Sequence, residues 1–266
     1  MSKENRKVTK NDLFNMFARL HLFQGSLNFE RMEALGYVFV MMPVLKRLYK
    51  TKEDMSMALK RHMEYFNTQT TVCSVIFGLT AAMEEQGGNE ADRAIAGMKS
   101  ALMGPLAGIG DSLIFSTWLP ICMSIGAAMA ASGNLSGPII AWLLFNMVNV
   151  TAKYYGIMIG YNQGIAFIEK SKGELDKVTT LAAIVGLTVV GSLIPSLVAV
   201  STPITIKIGE LSIVLQEILD SIMPNLLPLA FTMFAFTLIR RQWSAIKIVL
   251  TLIVASLVFT GLGVII

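Results

Sequence analysis

Residues 112–152, SLIFSTWLPICMSIGAAMAASGNLSGPIIAWLLFNMVNVTA, contain no Asp, Glu, Lys or Arg. Three further uncharged stretches follow, at 178–206, 221–239 and 248–266. About 20 apolar residues in a helix cross the hydrocarbon core of a bilayer, so each stretch is long enough for a crossing. The whole chain is 54% hydrophobic and 15% charged, with a mean hydropathy of +0.60. Soluble domains carry about 25% charged residues, so this composition excludes a soluble globular protein.

The predicted fold is an all-α polytopic membrane protein with about five transmembrane helices plus re-entrant segments. The predicted spans are residues 112–131, 139–161, 178–200, 221–239 and 248–266, and residues 133–138 form a tight turn between the first two. The loops 169–177 and 240–247 contain Lys and Arg, whereas the turn contains neither. By the positive-inside rule these two loops and the N-terminus are expected in the cytoplasm.

Residues 1–100 form a region with a different composition, in which acidic and basic residues are frequent and mixed. Thr9 with Asp12, and Thr51 with Asp54, have the spacing of a capping box, so helices are expected to begin there. We expect these helices to be amphipathic and to lie in the membrane interface. The alternative is a soluble cap that packs on a partner. We predict a transmembrane domain in residues 101–266.

The segment 65–83 is uncharged but contains many hydroxyl and amide side chains. This polarity is too high for a helix that faces lipid. We predict that the segment is re-entrant, because irregular backbone at membrane depth needs protein or water to satisfy it.

The charge pattern and the cysteines exclude several classes of function. The net charge is +4, but basic and acidic residues are mixed in the first third, so no nucleic-acid partner is predicted. Cys73 and Cys122 lie far apart and the chain has only two histidines, so no metal site is predicted. The sequence has no GxxxxGK[ST], GxSxG or HExxH motif, so neither a cofactor nor a catalytic residue is predicted.

Asp111 lies immediately before the longest uncharged stretch. A carboxylate inside a membrane is costly unless it faces a cavity or a partner, so Asp111 is a candidate for substrate contact. The alternative is that Asp111 caps a helix that begins at Ser112. Residues 104–111, GPLAGIGD, contain a proline and three glycines, so we do not expect a regular helix interior there.

Asn146, Asn149 and Lys153 have the spacing of one helix face. They point either into a polar cavity or at another helix, to which they would hydrogen-bond. The same helix continues through Gly156, Gly160 and Gly164, two consecutive GxxxG spacings that favour close helix packing, here expected against a neighbouring chain.

Several short motifs are spread over nearly the whole chain. They are residues 21–32 (HLFQGSLNFERM), 43–49 (PVLKRLY), Arg61-His62 with Phe66-Asn67-Thr68, Glu84-Glu85, 102–112 (LMGPLAGIGDS) and 160–164 (GYNQG). Together and in this order they resemble the IID subunit of the mannose/fructose/sorbose-type sugar phosphotransferase system (PTS).

This resemblance implies a function in sugar uptake at a bacterial cytoplasmic membrane. In the family, IID and a IIC subunit form the membrane channel as a higher-order hetero-oligomer. Soluble IIA and IIB domains pass a phosphoryl group through their own histidines to the incoming hexose. The resemblance therefore implies that this chain has no catalytic role by itself and that neither His21 nor His62 is phosphorylated. It also implies that the chain is a target of some bacteriocins.

A sugar path needs hydrogen-bond donors and acceptors, which carboxylates and amides supply. We expect Asp111, Asn67 and Glu84 to lie nearest that path. Two other functions stay open: an autonomous channel or secondary transporter, and a membrane scaffold for docking. An autonomous transporter is expected to contain matching broken helices in two halves, and the sequence shows no convincing internal repeat.

Overall fold

The computed structural model describes residues 7–170, 175–208 and 211–266, and the chain divides into two compact units, Met1–Val189 and Val190–Ile266. We expected a division near residue 100 from the change in composition. The units divide elsewhere because α4 (Ser74–Gly87) packs along α7 (Gly137–Lys170), which joins both sides of residue 100 in one unit. Lys172 in the predicted loop 169–177 lies outside the described residues.

The first unit is built from helices. In chain order they are α1 (Lys10–Leu20), a 3-10 turn (Phe23–Ser26), α2 (Ala34–Leu48), α3 (Lys52–His62), α4, a 3-10 turn (Gly88–Ala91), α5 (Asp92–Gly110), a π-helical segment (Asp111–Trp118), α6 (Leu119–Ala131) and α7. The helix α8 (Leu175–Leu197) begins in this unit and continues into the second. The predicted helix starts at Thr9 and Thr51 are confirmed, since each hydroxyl accepts a hydrogen bond from the amide three residues later.

The second unit contains the only strands in the described residues. A two-stranded antiparallel sheet pairs β1 (Thr205–Ile208) with β2 (Leu211–Val214), and Lys207 lies opposite Ser212 in its register. Three helices follow: α9 (Leu215–Ile222), α10 (Leu226–Arg240) and α11 (Ala245–Gly261). Residues 211–214 include Ile and Val, residue types that favour a paired, pleated strand.

Aromatic rings form the centre of the core of the first unit. The Tyr37 ring centroid lies 4.3 Å from that of Phe77 and 4.6 Å from that of Phe66. Phe23 contacts Phe77 edge to face, at 5.4 Å between centroids. These four side chains are at most 1% exposed. Residues from the 3-10 turn Phe23–Ser26, from α2, from the loop after α3 and from α4 therefore share one core.

The helix continues through residues 104–111, where we expected a break. Pro105 lies inside α5, and the chain passes without interruption into the π-helical segment and α6. Pro105 removes one N–H from the helix, but the helix continues through it. Asp111 has helical dihedral angles (φ −64°, ψ −42°) within this run, so the capping alternative is wrong.

Within the part of the chain that the structure describes, two helical runs are long and apolar enough to cross a membrane, Ser74–Ala131 and Lys177–Leu197. The pair α9–α10, bent by 76°, would be a third, and α11 is a shorter apolar helix. The predicted span 139–161 lies within α7, where Asn146, Asn149 and Lys153 lower the hydropathy. The count of five crossings therefore stays a prediction.

The predicted re-entrant segment 65–83 consists of two parts. Most of residues 63–73 are turns and irregular backbone, and the helix α4 begins only at Ser74. The position of this segment at membrane depth stays a prediction.

Candidate functional site

A polar loop, residues 66–72, connects three parts of the first unit. The backbone N–H of Thr68 donates to Glu33 Oε2 (3.0 Å), immediately before α2. The Thr68 hydroxyl donates to the carbonyl of Met103 in α5 (2.8 Å). The Thr71 hydroxyl donates to Asn149 Oδ1 in α7 (2.8 Å). The loop is therefore held on three sides by hydrogen bonds that its own threonines donate.

Gln69 organises the backbone of this loop. Its side-chain oxygen accepts hydrogen bonds from the N–H groups of Thr71 (2.8 Å) and Val72 (3.0 Å), so the turn is closed by a side chain. Gln69 also lies against the end of α5, where a Cβ atom added to Gly110 would be 2.6 Å from Gln69 Cβ. Only glycine allows this approach, and the next residue along the helix is Asp111.

The polar loop thus brings three of the predicted path residues into one neighbourhood. Asn67 is in the loop and exposed, Asn149 accepts from the loop, and Asp111 follows the glycine that the loop contacts. Asp111 is exposed, and its negative charge is one of the causes that raise the pKa of Glu33, after burial.

The other predicted path residues have different surroundings. Asn146 donates to the carbonyl of Trp142 in its own helix (2.9 Å), and Lys153 is buried one turn after Asn149. Glu84 lies in a separate cluster with Arg61.

This charged cluster consists of Tyr49, Arg61, His62, Glu84, Asn89, Asp92 and Lys99. Arg61 donates from Nε to Glu84 Oε1 (2.7 Å) and from Nη2 to Oε2 (3.0 Å), and both side chains are at most 1% exposed. The guanidinium group also donates to Asp92 Oδ1 (3.0 Å) and Asn89 Oδ1 (2.8 Å). A buried guanidinium with this many acceptors keeps its charge, and these hydrogen bonds raise the pKa of Arg61 although burial alone would lower it.

Both oxygens of Glu84 are fully engaged. Besides Arg61, the Tyr49 hydroxyl donates to Oε2 (2.5 Å) and His62 Nε2 donates to Oε1 (2.8 Å). Because Nε2 carries the proton, Nδ1 of the neutral ring is an acceptor, and no described residue donates to it. Burial lowers the pKa of His62 to about 4, so the ring is neutral at physiological pH.

Lys99 closes the cluster from α5. Its ammonium donates to the carbonyl of Arg61 (3.1 Å), one of the open carbonyls at the end of α3, and lies 4.4 Å from the Tyr37 ring centroid. A cation is stabilised both by a helix C-terminus and by an aromatic face. The charged groups of the cluster are therefore paired with one another or with backbone carbonyls, and they join α3, α4 and α5. The role of the cluster is structural.

Glycines bring α4 and α7 into direct backbone contact. A Cβ atom on Gly160 would lie 2.3 Å from the carbonyl oxygen of Val75, and one on Gly156 would lie 1.9 Å from Ser74 Oγ. Gly164 contacts Leu79, and from the other side Gly78 contacts the backbone of Ile157. The expected close packing is thus formed within this chain, whereas we expected a neighbouring chain.

Sequence reasoning missed the partners of Glu84 and the role of Glu33. Arg61 and His62 were visible as part of a motif, but nothing in their spacing indicated a contact with a residue more than 20 positions later. Two charges in the sequence could have indicated these contacts: Lys99 and Glu33 both lie beside apolar residues. A charge in apolar surroundings requires a partner elsewhere in the fold.

Comparisons with known proteins place this geometry in a family. Residues 7–265 match the model for the PTS system mannose/fructose/sorbose family IID component. The chain is 38% identical to the PTS system sorbose-specific EIID component of Klebsiella pneumoniae over 98% of each chain. It is 42% identical to the PTS system mannose-specific EIID component of Escherichia coli K12, covering 92% of this chain and 90% of the relative. It is 39% identical to the fructose permease IID component of Bacillus subtilis, covering 94% of each.

A solved structure agrees with these relatives. The chain superposes with a TM-score of 0.72 and 40% identity on a chain in the cryo-EM structure of the mannose transporter ManYZ in complex with microcin E492, covering 98% of this chain and 99% of that one. The chain therefore belongs to the mannose/fructose/sorbose family of PTS IID components and is a membrane component of a bacterial sugar phosphotransferase system.

Proposed function

We propose that this chain and a IIC subunit together form the path by which a hexose crosses the cytoplasmic membrane, and that IIA and IIB phosphorylate the sugar on the cytoplasmic side. The observation that carries the proposal is the match to IID components over residues 7–265. The likeness to a chain of a mannose transporter supports it.

Within that path, we assign sugar contact to the surface around the polar loop. Asn67 and Asp111 are exposed there and Asn149 is half-buried, and together they offer carboxylate and amide groups to sugar hydroxyls. Glu84, Asn146 and Lys153 complete the expected set. Because the oxygens of Glu84 are bonded to Arg61, His62 and Tyr49, we propose that it acts by holding α4 in place.

The chain is proposed to carry no covalent step. A phosphoryl acceptor needs an accessible nitrogen, but His62 is 0% exposed and its Nε2 is bonded to Glu84. His21 is exposed, with Nδ1 3.0 Å from the Phe17 carbonyl of its own helix. The phosphorylated histidines are then those of IIA and IIB, so that this subunit supplies walls and docking surfaces.

Reconstitution in vesicles tests this function. The chain with IIC, IIA, IIB and a phosphoryl donor is expected to give sugar phosphate, and each mixture that lacks one component is expected to give none. Transport by the chain alone would instead establish the autonomous channel. The variant Asp111→Asn is expected to lower uptake at least about tenfold, since a hydrogen bond to a charged group contributes about 1.5–3 kcal/mol. Unchanged uptake would exclude Asp111 from the path, and Glu53→Gln, an exposed carboxylate in α3, is the matched control.

We also propose that the N-terminus is cytoplasmic and that five crossings place the turn 133–138 outside. Single cysteines at Asn134 and Gln242, in a chain whose native cysteines are replaced, are expected to react with an impermeant reagent from opposite sides. Labelling of both from one side contradicts this topology.

We also propose a second use of this protein, the docking of a bacteriocin. The solved complex of a mannose transporter with microcin E492 favours it. Binding of microcin E492 to vesicles that contain the complete complex is the measurement, and binding that is independent of this subunit contradicts it.

A further inference from the structure

Two cavities of opposite chemistry lie next to each other along α2. The first, of about 430 Å³, is lined by four cationic side chains and one carboxylate: Arg19, Lys46, Arg47, Lys50 and Asp12. The second, of about 420 Å³, is lined by apolar side chains, among them Leu22, Leu35, Val38, Phe39 and Met42. We name them the basic cavity and the apolar cavity.

The basic cavity retains unpaired positive charge. Asp12 neutralises Arg47, which donates to it from Nε (3.0 Å) and Nη2 (3.3 Å). In the described part of the chain no carboxylate pairs with Lys46 or Lys50, and both are exposed. An anion in this cavity would therefore meet uncompensated ammonium groups.

Arg19 forms the wall between the two cavities. Its Nη1 donates to the carbonyl of Phe39 (2.9 Å), and its guanidinium carbon lies 4.7 Å from the centroid of the Phe39 ring. That carbonyl needs a donor, because Pro43, four residues later, has no N–H to offer it. The cation is thus fixed in place by the helix and lies directly beside the apolar cavity.

The apolar cavity is open to its surroundings. Leu22 is 66% exposed, Leu35 48% and Phe39 39%. Exposed apolar side chains beside a basic cluster are typical of segments that lie at a membrane surface, where cations meet headgroups and apolar groups meet acyl chains. Basic pockets between helices near the membrane bind anionic headgroups.

We propose that this composite site binds one anionic phospholipid, with the phosphate in the basic cavity and an acyl chain along the apolar cavity. The spacing suits such a ligand: at 1.5 Å per residue, α2 places Leu35 about 16 Å from Lys46, close to half of the roughly 30 Å hydrocarbon core. A soluble phosphate compound would use only the basic cavity. The joint use of both cavities therefore selects a lipid.

Native mass spectrometry of the purified full-length chain in detergent tests the site. Phosphatidylglycerol is expected to bind, whereas phosphatidylcholine and glycerol 3-phosphate are expected to bind much more weakly. The double variant Lys46→Gln/Lys50→Gln is expected to lose about 25-fold in affinity, at about fivefold for each lysine near an anionic lipid. The matched control Lys52→Gln/Lys60→Gln, two exposed lysines of α3, is expected to retain binding.

A third variant tests the apolar half. Leu35→Gln, at an exposed position, is expected to weaken phosphatidylglycerol binding while glycerol 3-phosphate binding stays unchanged. Unchanged phosphatidylglycerol binding in the double-lysine variant overturns the proposal. Equal affinity for glycerol 3-phosphate and phosphatidylglycerol overturns it in favour of a soluble phosphate. If the double-lysine variant loses IIB-dependent sugar phosphorylation but still binds phosphatidylglycerol, the proposal is overturned and the site is a docking site for a protein partner.

Discussion

Arg61 and Glu84 lie 23 residues apart and form a parallel, two-bonded ion pair, from Nε to Oε1 at 2.7 Å and from Nη2 to Oε2 at 3.0 Å. The pair joins the end of α3 to α4, and both side chains are buried. A buried ion pair contributes little net stability compared with apolar residues, but loss of one partner leaves an uncompensated charge in the core. The pair therefore links the end of α3 to α4, and removal of either side chain alone is costly.

The first prediction concerns this pair. Arg61→Met is expected to destabilise the chain by about 3–5 kcal/mol, because the Glu84 carboxylate stays buried without its cation. The double variant Arg61→Met/Glu84→Gln is expected to be more stable than the sum of the two single variants implies. Thermal unfolding in detergent of the parent chain, the single variants Arg61→Met and Glu84→Gln, and the double variant measures the coupling. Strict additivity of the two single changes would show that the two side chains do not interact.

His62 predicts a dependence of stability on pH. Its pKa falls from 6.5 to about 4 because burial disfavours the charged ring. The unfolded chain therefore binds the proton more tightly, and the stability that the neutral ring contributes is complete above pH 6.5 and is lost as pH falls toward 4. The loss amounts to about 3 kcal/mol at a linkage of about 1.4 kcal/mol per pKa unit. His62→Gln is expected to flatten this part of the unfolding profile, and an unaltered slope contradicts the assignment.

Glu33 is predicted to act in the opposite direction. Burial raises its pKa from the usual 4.5, against the hydrogen bonds from Gln24 and Thr68. Protonation of Glu33 therefore favours the folded state: this contribution is complete below pH 4.5 and is lost as pH rises through the raised pKa. Relative to the parent chain, Glu33→Gln is expected to be more stable at pH 7.5 than at pH 4.5, because the neutral amide avoids a buried charge at the higher pH. Equal differences at both values of pH would refute this prediction.

The glycine contact of α4 and α7 gives a prediction with an internal control. Gly160→Ala is expected to cost about 1–3 kcal/mol, because its Cβ atom would lie 2.3 Å from a backbone oxygen that cannot turn away. Gly104→Ala, in α5 with open space around the added atom, is expected to leave stability unchanged or raise it by up to about 1 kcal/mol. Unfolding temperatures in detergent distinguish the two, and similar values for both variants would contradict close packing at Gly160.

Much of the architecture was predictable from local chemistry. Each long uncharged stretch would, as a helix, be long enough to cross the hydrocarbon core of a bilayer. Such stretches indicate membrane helices without knowledge of the tertiary structure. Thr9 and Thr51 marked helix starts because a hydroxyl that satisfies an amide three residues on acts within one turn. The motifs around His21, Pro43 and Gly104 indicated the family because each is a short run of sequence that can be read without knowledge of the fold.

Local chemistry misled at residues 104–111. A proline and three glycines lower helix propensity, yet the helix continues there because tertiary packing contributes more than propensity. Gly110 packs against Gln69, and Gly186 of α8 lies close to the carbonyl of Ala101 in α5. The sequence does not reveal that these glycines have a packing role.

The membrane class and the helical character follow from uncharged runs long enough to cross a bilayer, and the starts of α1 and α3 follow from capping residues within one turn. The family follows from several short motifs in a fixed order along the chain. The tertiary structure alone decided that Glu84 pairs with Arg61, that the polar loop lies against Gly110 and Asn149, and that α4 covers the glycines of α7. Those contacts join residues between 23 positions apart (Arg61 and Glu84) and 85 positions apart (Val75 and Gly160). The free energy that selects them arises only when the helices pack and buried charges must find partners.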